Sequence, residues 1–258
     1  MIGLYLFQAA LTEYVRVRRT LVWVFVAAAI CGAAFIFTNL IGSMSPREGY
    51  TQMSLIMVYR LLPLVAAIFS TAVITQEVAQ KTIVYLITRP VSRMSLVIAR
   101  ILAASLVVFL IAAMCALGVS IGTFGLSGCL DKALLKDLPA LALGSMAYVS
   151  LFVFMSLLAN KAMLVCLLYS FGWETLVVSM PGDLYYLSIY SYISVLGSKP
   201  SPQTGSQPML AFLAGQLGSN TMTARVALPV LLVVIVAFAV GSAFWFANFE
   251  YVPREDTD

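Results

Sequence analysis

Histidine is absent from this chain of 258 residues, and cysteine is too sparsely placed to build a metal site. The missing imidazole removes the commonest general base and the usual Ser–His–Asp triad. No two of the four cysteines are at metal-ligand spacing, which argues against zinc, copper or haem sites built from His and Cys. The sequence therefore predicts no enzymatic activity for this chain and no cofactor bound within it.

Charge is also scarce, because only 10% of residues are charged while 62% are hydrophobic. A soluble domain has about a quarter of its residues charged and could not keep this much apolar surface from water. The composition predicts an all-α, polytopic membrane protein whose solvent is lipid. A net charge of +4 is explained by membrane topology, and no nucleic-acid partner is predicted.

Long apolar runs are plentiful, and a helix needs about 20 such residues to cross about 30 Å of hydrocarbon. They predict one domain over residues 1–258 with six transmembrane helices, at 21–41, 53–75, 96–122, 138–159, 162–180 and 226–246. No signal peptide is predicted before the first of them, so we expect the mature chain to start at or near Met1.

The orientation follows from basic residues near the span ends, which favour the cytoplasmic side. With the N-terminus inside, the cytoplasmic set outnumbers the outer set. The cytoplasmic residues are Arg16, Arg18, Arg19, Lys81, Arg89, Arg93, Arg100, Lys161 and Arg254, and the outer ones are Arg47, Arg60, Lys132, Lys136, Lys199 and Arg225. We therefore expect a protein integral to the plasma (cell inner) membrane with both termini in the cytoplasm and Cys129 outside.

Residues 1–20 predict an amphipathic helix at the inner leaflet. Apolar side chains such as Phe7, Leu11 and Tyr14 recur at helical spacing, and the segment ends in the basic cluster of Arg16 and Arg19. Two interpretations stay open. The helix is either an interfacial anchor whose arginines bind lipid phosphates, or a contact surface for a partner protein.

Segment 76–93 is a polar, partly basic island between the second and third predicted spans. A helix over 76–88 would end at Pro90, since proline cannot continue the hydrogen-bond ladder. It would carry one apolar stripe, formed by Ala79, Ile83, Leu86 and Ile87. An apolar face outside the membrane must be covered, either by the span ends of the protein itself or by another protein.

Two charges near membrane depth need a partner or water. Glu174 lies within the fifth predicted span and Arg60 near the outer end of the second, so the two are expected at comparable depth. Glu174 either pairs with Arg60, lies in water beyond an early span end, or faces a pathway that a cargo crosses. Beyond this span, segment 181–225 predicts an extracytoplasmic loop. Its tyrosines either anchor it at the headgroup level or belong to a helix on the outer face that closes the exit of a pathway.

The island resembles the segment after the second span in permeases of the type-2 ABC transporter family. The family pattern reads Glu-x-x-x-Gly-Thr, a leucine-rich stretch, Pro-Val-Ser-Arg and a further basic residue. This chain matches it at Glu77, Thr82, Pro90-Val91-Ser92-Arg93 and Arg100, with Lys81 in place of the glycine. The similarity extends in layout to the N-terminal helix and to the short loop at Asn160-Lys161.

The resemblance implies a permease subunit that pairs with a second permease chain, identical or different, and with cytoplasmic ATP-binding subunits. Segment 76–93 would be a coupling helix seated in a cleft of the ATP-binding subunit, and the N-terminal helix would brace the same subunit. The implied coupling residues are Glu77, Lys81, Ile83, Leu86, Ile87, Arg89, Pro90, Arg93, Arg16 and Arg19. Because the chain lacks a Gly-x-x-x-x-Gly-Lys-Ser/Thr phosphate loop, ATP and Mg would be bound by the partner.

The expected function is ATP-driven export, or extraction from the membrane, of a lipophilic or amphipathic substrate. Two alternatives stay open: a mechanotransmission or immunity-type complex that acts on an extracytoplasmic partner without moving cargo, and a structural or assembly membrane protein. Arg89 and Arg93 also have an alternative role, which is to hold the two flanking spans at the inner interface.

Overall fold

A computed structural model describes residues 7–8, 10–12, 14, 17–38, 45–79, 93–125, 131–159, 161–179, 186–197, 199 and 224–248. These residues form nine α-helices and no β-strand, which confirms the all-α prediction. The helices are α1 (Val17–Ile36), α2 (Pro46–Met53), α3 (Arg60–Ala79), α4 (Arg93–Phe124), α5 (Lys132–Leu158), α6 (Ala162–Leu168), α7 (Glu174–Ser179), α8 (Ile189–Leu196) and α9 (Ala224–Asn248). Two π-helical turns, Ser54–Tyr59 and Tyr169–Trp173, join α2 to α3 and α6 to α7.

Four helices of the described residues are long and apolar enough to cross a membrane: Pro46–Ala72, Met94–Phe124, Lys132–Leu158 and Ala224–Asn248. They correspond to four of the six predicted spans. The predicted spans 21–41 and 162–180 coincide instead with shorter apolar helices, Val22–Ile36 and Ala162–Val177. The number of six spans is therefore not confirmed.

The helix of the second predicted span begins earlier than expected, at Pro46 rather than at residue 53. Ser45 and Glu48 form a capping box, in which each side chain accepts from the backbone N–H of the other residue. Pro46 occupies the first turn, where its missing N–H costs nothing. Further along, Pro63 cannot donate to the carbonyl of Tyr59, which is where the π-helical turn ends.

Helix α5 is the central helix of the bundle, in contact with α3, α4, α6, α8 and α9. Its large side chains Tyr148 and Phe152 are fully buried. Gly144, Ser145 and Ala147 are buried on the turn before Tyr148, and such small residues allow neighbouring helices to approach. A helix that is apolar on every side is expected to occupy this position.

Helices α1 and α4 approach each other closely through two glycines one turn apart. A Cβ atom at Gly118 would lie 2.8 Å from the carbonyl oxygen of Ala27, and one at Gly122 would lie 2.6 Å from that of Cys31. Any larger residue at either position would collide with the backbone of α1. This is the small-xxx-small contact by which membrane helices associate without a hydrophobic driving force.

The described residues of the N-terminal segment are helical, with Ala10 and Tyr14 buried and Gln8 and Thr12 exposed. The ring of Tyr14 packs edge-on against Phe69 of α3, with 6.1 Å between the ring centroids. The buried side of this segment therefore packs against a candidate span. Arg16 lies outside the described residues, as does the side chain of Arg19.

Candidate functional site

The predicted coupling segment falls almost wholly outside the described residues. Helix α3 ends at Ala79 and α4 begins at Arg93. The segment therefore connects the end of α3 to the start of α4. Lys81, Ile83, Leu86, Ile87, Arg89 and Pro90 lie in the undescribed part, and the side chains of Glu77 and Arg93 are undescribed as well. The coupling helix stays a prediction.

Glu174 is buried and forms the centre of a polar cluster within the bundle. The hydroxyl of Tyr148, on α5, donates to its Oε1 atom at 2.9 Å, and the hydroxyl of Ser188 donates to its Oε2 atom. The backbone N–H groups of Ile189 and Tyr190 also bond to this carboxylate. Both oxygens are therefore occupied by donors.

These donors identify Glu174 as the cap of helix α8. Ser188 is the N-cap residue of α8, and Ile189 and Tyr190 are its first two residues. The first N–H groups of a helix have no partner within the helix, and a carboxylate placed there both accepts their hydrogen bonds and interacts favourably with the helix dipole. Glu174 thus fixes the start of α8 against α7 and α5.

Arg60 lies near Glu174 as expected but does not pair with it. Its Nη1 atom donates to Oγ1 of Thr175 at 3.1 Å, and its guanidinium lies 5.7 Å from the ring centroid of Tyr190. Arg60 is exposed, whereas the Glu174 carboxylate points inward to the α8 cap. Among the described residues the two side chains form no ion pair, although Arg60 bonds to Thr175, the residue next to Glu174.

A second buried polar cluster is centred on Asp137 of α5. Its Oδ2 atom accepts from the Tyr50 hydroxyl at 2.8 Å and pairs with Nζ of Lys199 at 2.8 Å, while its Oδ1 atom accepts from the Tyr59 hydroxyl at 3.1 Å. The side chains of Lys199 and Asp137 are only 4% and 1% exposed. This is an enclosed ion pair whose carboxylate also accepts two hydroxyl hydrogen bonds directly.

The ammonium of Lys199 also lies 4.4 Å from the ring centroid of Tyr50, within cation–π distance. Burial lowers the pKa of Lys199, and the neighbouring charge of Asp137 acts in the opposite direction. Gly197 makes this arrangement possible, because a Cβ atom there would lie 3.0 Å from Oδ1 of Asp137 and would overlap the Tyr59 hydroxyl.

The π-helical turn aligns the two tyrosines that contact Asp137. Residues nine positions apart on a regular α-helix lie about 180° apart around its axis. Tyr50 and Tyr59 have this spacing, yet both reach Asp137 because the π turn between them takes up one extra residue. Sequence reasoning assigned Lys199 only to an outer loop and gave Asp137 no role. An acidic residue just before a long apolar run was the signal that could have found the site.

Both polar clusters lie at the end of the bundle opposite segment 80–92. Helix α3 leads from Arg60 towards that segment and α4 returns from it to Phe124, whose ring lies 5.7 Å from that of Tyr50. Asp137 is in the second turn of α5, which follows α4. One end of the molecule therefore carries buried ionic clusters and the other carries the basic connecting segment.

Apolar helices long enough to span a bilayer, with their charged residues gathered at the two ends, define a polytopic helical membrane protein. Residues 10–174 match the family described as ABC-2 family transporter protein. The chain belongs to this family, and it is the membrane-spanning permease component of an ABC transporter. No curated protein matches the chain. The matched region includes segment 76–93 and ends at Glu174, so α8, Lys199 and α9 lie beyond it.

Proposed function

We propose that this permease couples ATP hydrolysis in a separate cytoplasmic subunit to export, or membrane extraction, of a lipophilic or amphipathic substrate. The observation that carries the proposal is the position of segment 80–92, which connects two of the candidate spans at the end of the bundle away from the ionic clusters. Its basic residues, including Arg89, suit an acidic docking surface on the ATP-binding subunit.

The nature of the substrate is inferred from the state of the buried carboxylates. Glu174 is occupied by the start of α8, and Asp137 is occupied by Lys199 and two tyrosines. Within the described residues, each oxygen of the two carboxylates already accepts at least one hydrogen bond from the protein itself. An apolar cargo is therefore favoured over a charged one, and we assign Glu174 a structural role rather than a place on a pathway.

The assembly that we propose contains two permease chains and two ATP-binding subunits, with ATP and Mg bound by the latter. Both termini and segment 80–92 would face the cytoplasm. Exposed apolar residues such as Val233, Val236 and Phe244 on α9 suit contact with lipid or with the second permease chain. If the two permease chains did not pair, a single helical bundle would have to form the whole transport pathway.

The docking role is tested by reversing charge on the coupling segment. Arg89→Glu combined with Arg93→Glu, or Leu86→Asp alone, should detach a co-expressed ATP-binding subunit during affinity purification while the permease still inserts. The first variant would lose the attraction between the basic segment and an acidic docking surface. The second would place a charge in the apolar contact. Lys132→Glu combined with Lys136→Glu is the matched control, since both lysines are exposed at the opposite end of the bundle.

Unchanged co-purification of both coupling variants at physiological salt would contradict the docking role. Retained docking without lipid or metabolite export, but with ATP-dependent action on an extracytoplasmic protein, would favour the mechanotransmission alternative. Mass spectrometry of lipids and metabolites that co-purify with the complex would identify the substrate class.

A further inference from the structure

We propose that Lys199 and Asp137 form a releasable latch, the α8 latch, which holds the C-terminal end of helix α8 against α2 and α5 and opens without unfolding the bundle. The latch is a property of this chain alone. It does not depend on the substrate or on the ATP-binding subunit.

Helix α8 is held at both of its ends by buried carboxylates that belong to other helices. Glu174 caps its start, as described above. At its other end the backbone N–H of Lys199 donates to the carbonyl of Ser194 at 2.9 Å, so Lys199 moves with the last turn of α8. Its ammonium then bonds to Asp137 on α5. The last turn of α8 cannot leave α5 unless this ion pair breaks.

The two ends of α8 differ in how many polar contacts would be broken if that end came free. Freeing the start of α8 would leave two backbone N–H groups and the Ser188 hydroxyl without the acceptor that Glu174 provides. Freeing the other end breaks the Lys199–Asp137 ion pair and the contact of the ammonium with the Tyr50 ring. The carboxylate keeps the hydroxyl donors Tyr50 and Tyr59, one on each oxygen.

This remaining pair of donors is the physical basis for release. Breaking a buried ion pair is costly when it leaves an uncompensated charge. Here Asp137 stays hydrogen-bonded to Tyr50 and Tyr59, and Lys199 follows directly on the last turn of α8, so it leaves together with that turn. The Lys199 end is therefore the end that opens, with the Glu174 end as the hinge.

A buried hydroxyl on α8 supports an open form. Ser191 is fully buried, and its Oγ atom has no hydrogen-bond partner, which is uncommon for a buried polar group. Opening of the latch would give Ser191 access to water. It would also expose Ser194 and Ile193, which are buried on the same helix while the latch is closed.

The test measures local opening at α8 with an introduced thiol. Ser194→Cys, in a Cys129→Ser background, would be labelled with a membrane-impermeant maleimide on the full-length protein in lipid nanodiscs. With the latch intact, the thiol at position 194 should react slowly. Lys199→Met should raise its labelling rate by about tenfold or more, which corresponds to about 1.4 kcal/mol in the opening equilibrium.

Three controls make the result specific. Lys136→Met removes an exposed lysine next to Asp137 and should leave the rate unchanged. Cys166 is buried on α6 and should stay unlabelled in every variant, because it reports opening of the whole bundle. Lys199→Arg keeps the charge and should restore slow labelling. If Lys199→Met does not accumulate, Lys199→Gln takes its place.

Faster labelling of position 194 with Cys166 still protected, and with rescue by Lys199→Arg, supports the latch. Parallel labelling of both thiols would show that the ion pair only stabilises the fold, and it would overturn the proposal. An unchanged rate in Lys199→Met would overturn it as well, since α8 would then be held without Lys199.

Discussion

The role of Glu174, a charged residue in an apolar part of this protein, is determined by the side chains and backbone groups that contact it. The sequence placed Glu174 and Arg60 at similar depth and left open whether they pair. The structure gives each its own partners: Glu174 caps α8, and Arg60 bonds to Thr175 and stacks on Tyr190. This buried ionisable group is therefore explained by a helix terminus and not by an opposite charge.

A double-mutant cycle on this pair should give nearly additive effects. Glu174→Gln leaves α8 with donors that an amide cannot all satisfy and should lower stability by about 1–3 kcal/mol. Arg60→Gln, at an exposed position, should cost less than about 1 kcal/mol. The thermal unfolding of the single and double variants in detergent checks this. Recovery of stability in the double variant would instead demonstrate a direct ion pair.

No pattern in the sequence leads to the Asp137 cluster, although the sequence contains every one of its residues. Its members come from α2, a π turn, α5 and the connection after α8, and no local pattern links them. The alignment of Tyr50 with Tyr59 depends on an irregular turn, which α-helical periodicity cannot anticipate. Long-range polar contacts of this kind follow from the packing of helices and not from spacing along the chain.

Helices were the most predictable elements, because apolar run length alone reveals a span. The runs at 96–122 and 138–159 match α4 and α5 closely, since both helices are apolar throughout. Their ends were less predictable. The structure extends the second span back to Pro46 and α5 back to Lys132, because Tyr50 and Asp137 are polar yet buried in these first turns.

The contact between α1 and α4 should tolerate no side chain at Gly122. Gly122→Ala would place a methyl group against the Cys31 carbonyl, and separating the two backbones should cost about 1–3 kcal/mol. Gly32→Ala is the matched control, because nothing lies within 4 Å of the added Cβ atom. Melting temperatures of the purified variants would compare them. Equal stability of the two would show that α1 is not packed closely on α4.

For the molecule as a whole, membrane orientation remains a prediction from the positions of basic residues. A membrane-impermeant thiol reagent applied to intact cells should label Cys129 and spare the other three cysteines. Cys115 and Cys166 are buried and Cys31 is half-buried on α1, so they are protected by packing as well as by lipid. Mass spectrometry of the labelled protein identifies the modified residue. Labelling of Cys129 only after permeabilisation would reverse the orientation and move segment 80–92 outside.

The two π-helical turns also determine where the length of this chain can change. A residue removed from a regular helix rotates everything beyond it by about 100°. A residue removed from Ser54–Tyr59 or Tyr169–Trp173 would instead leave an ordinary α-helix with the faces on both sides kept in phase. Single-residue deletions among relatives should therefore collect at these two turns. Conversely, a substitution that regularised the first turn at full length would put Tyr50 and Tyr59 on opposite sides of their helix.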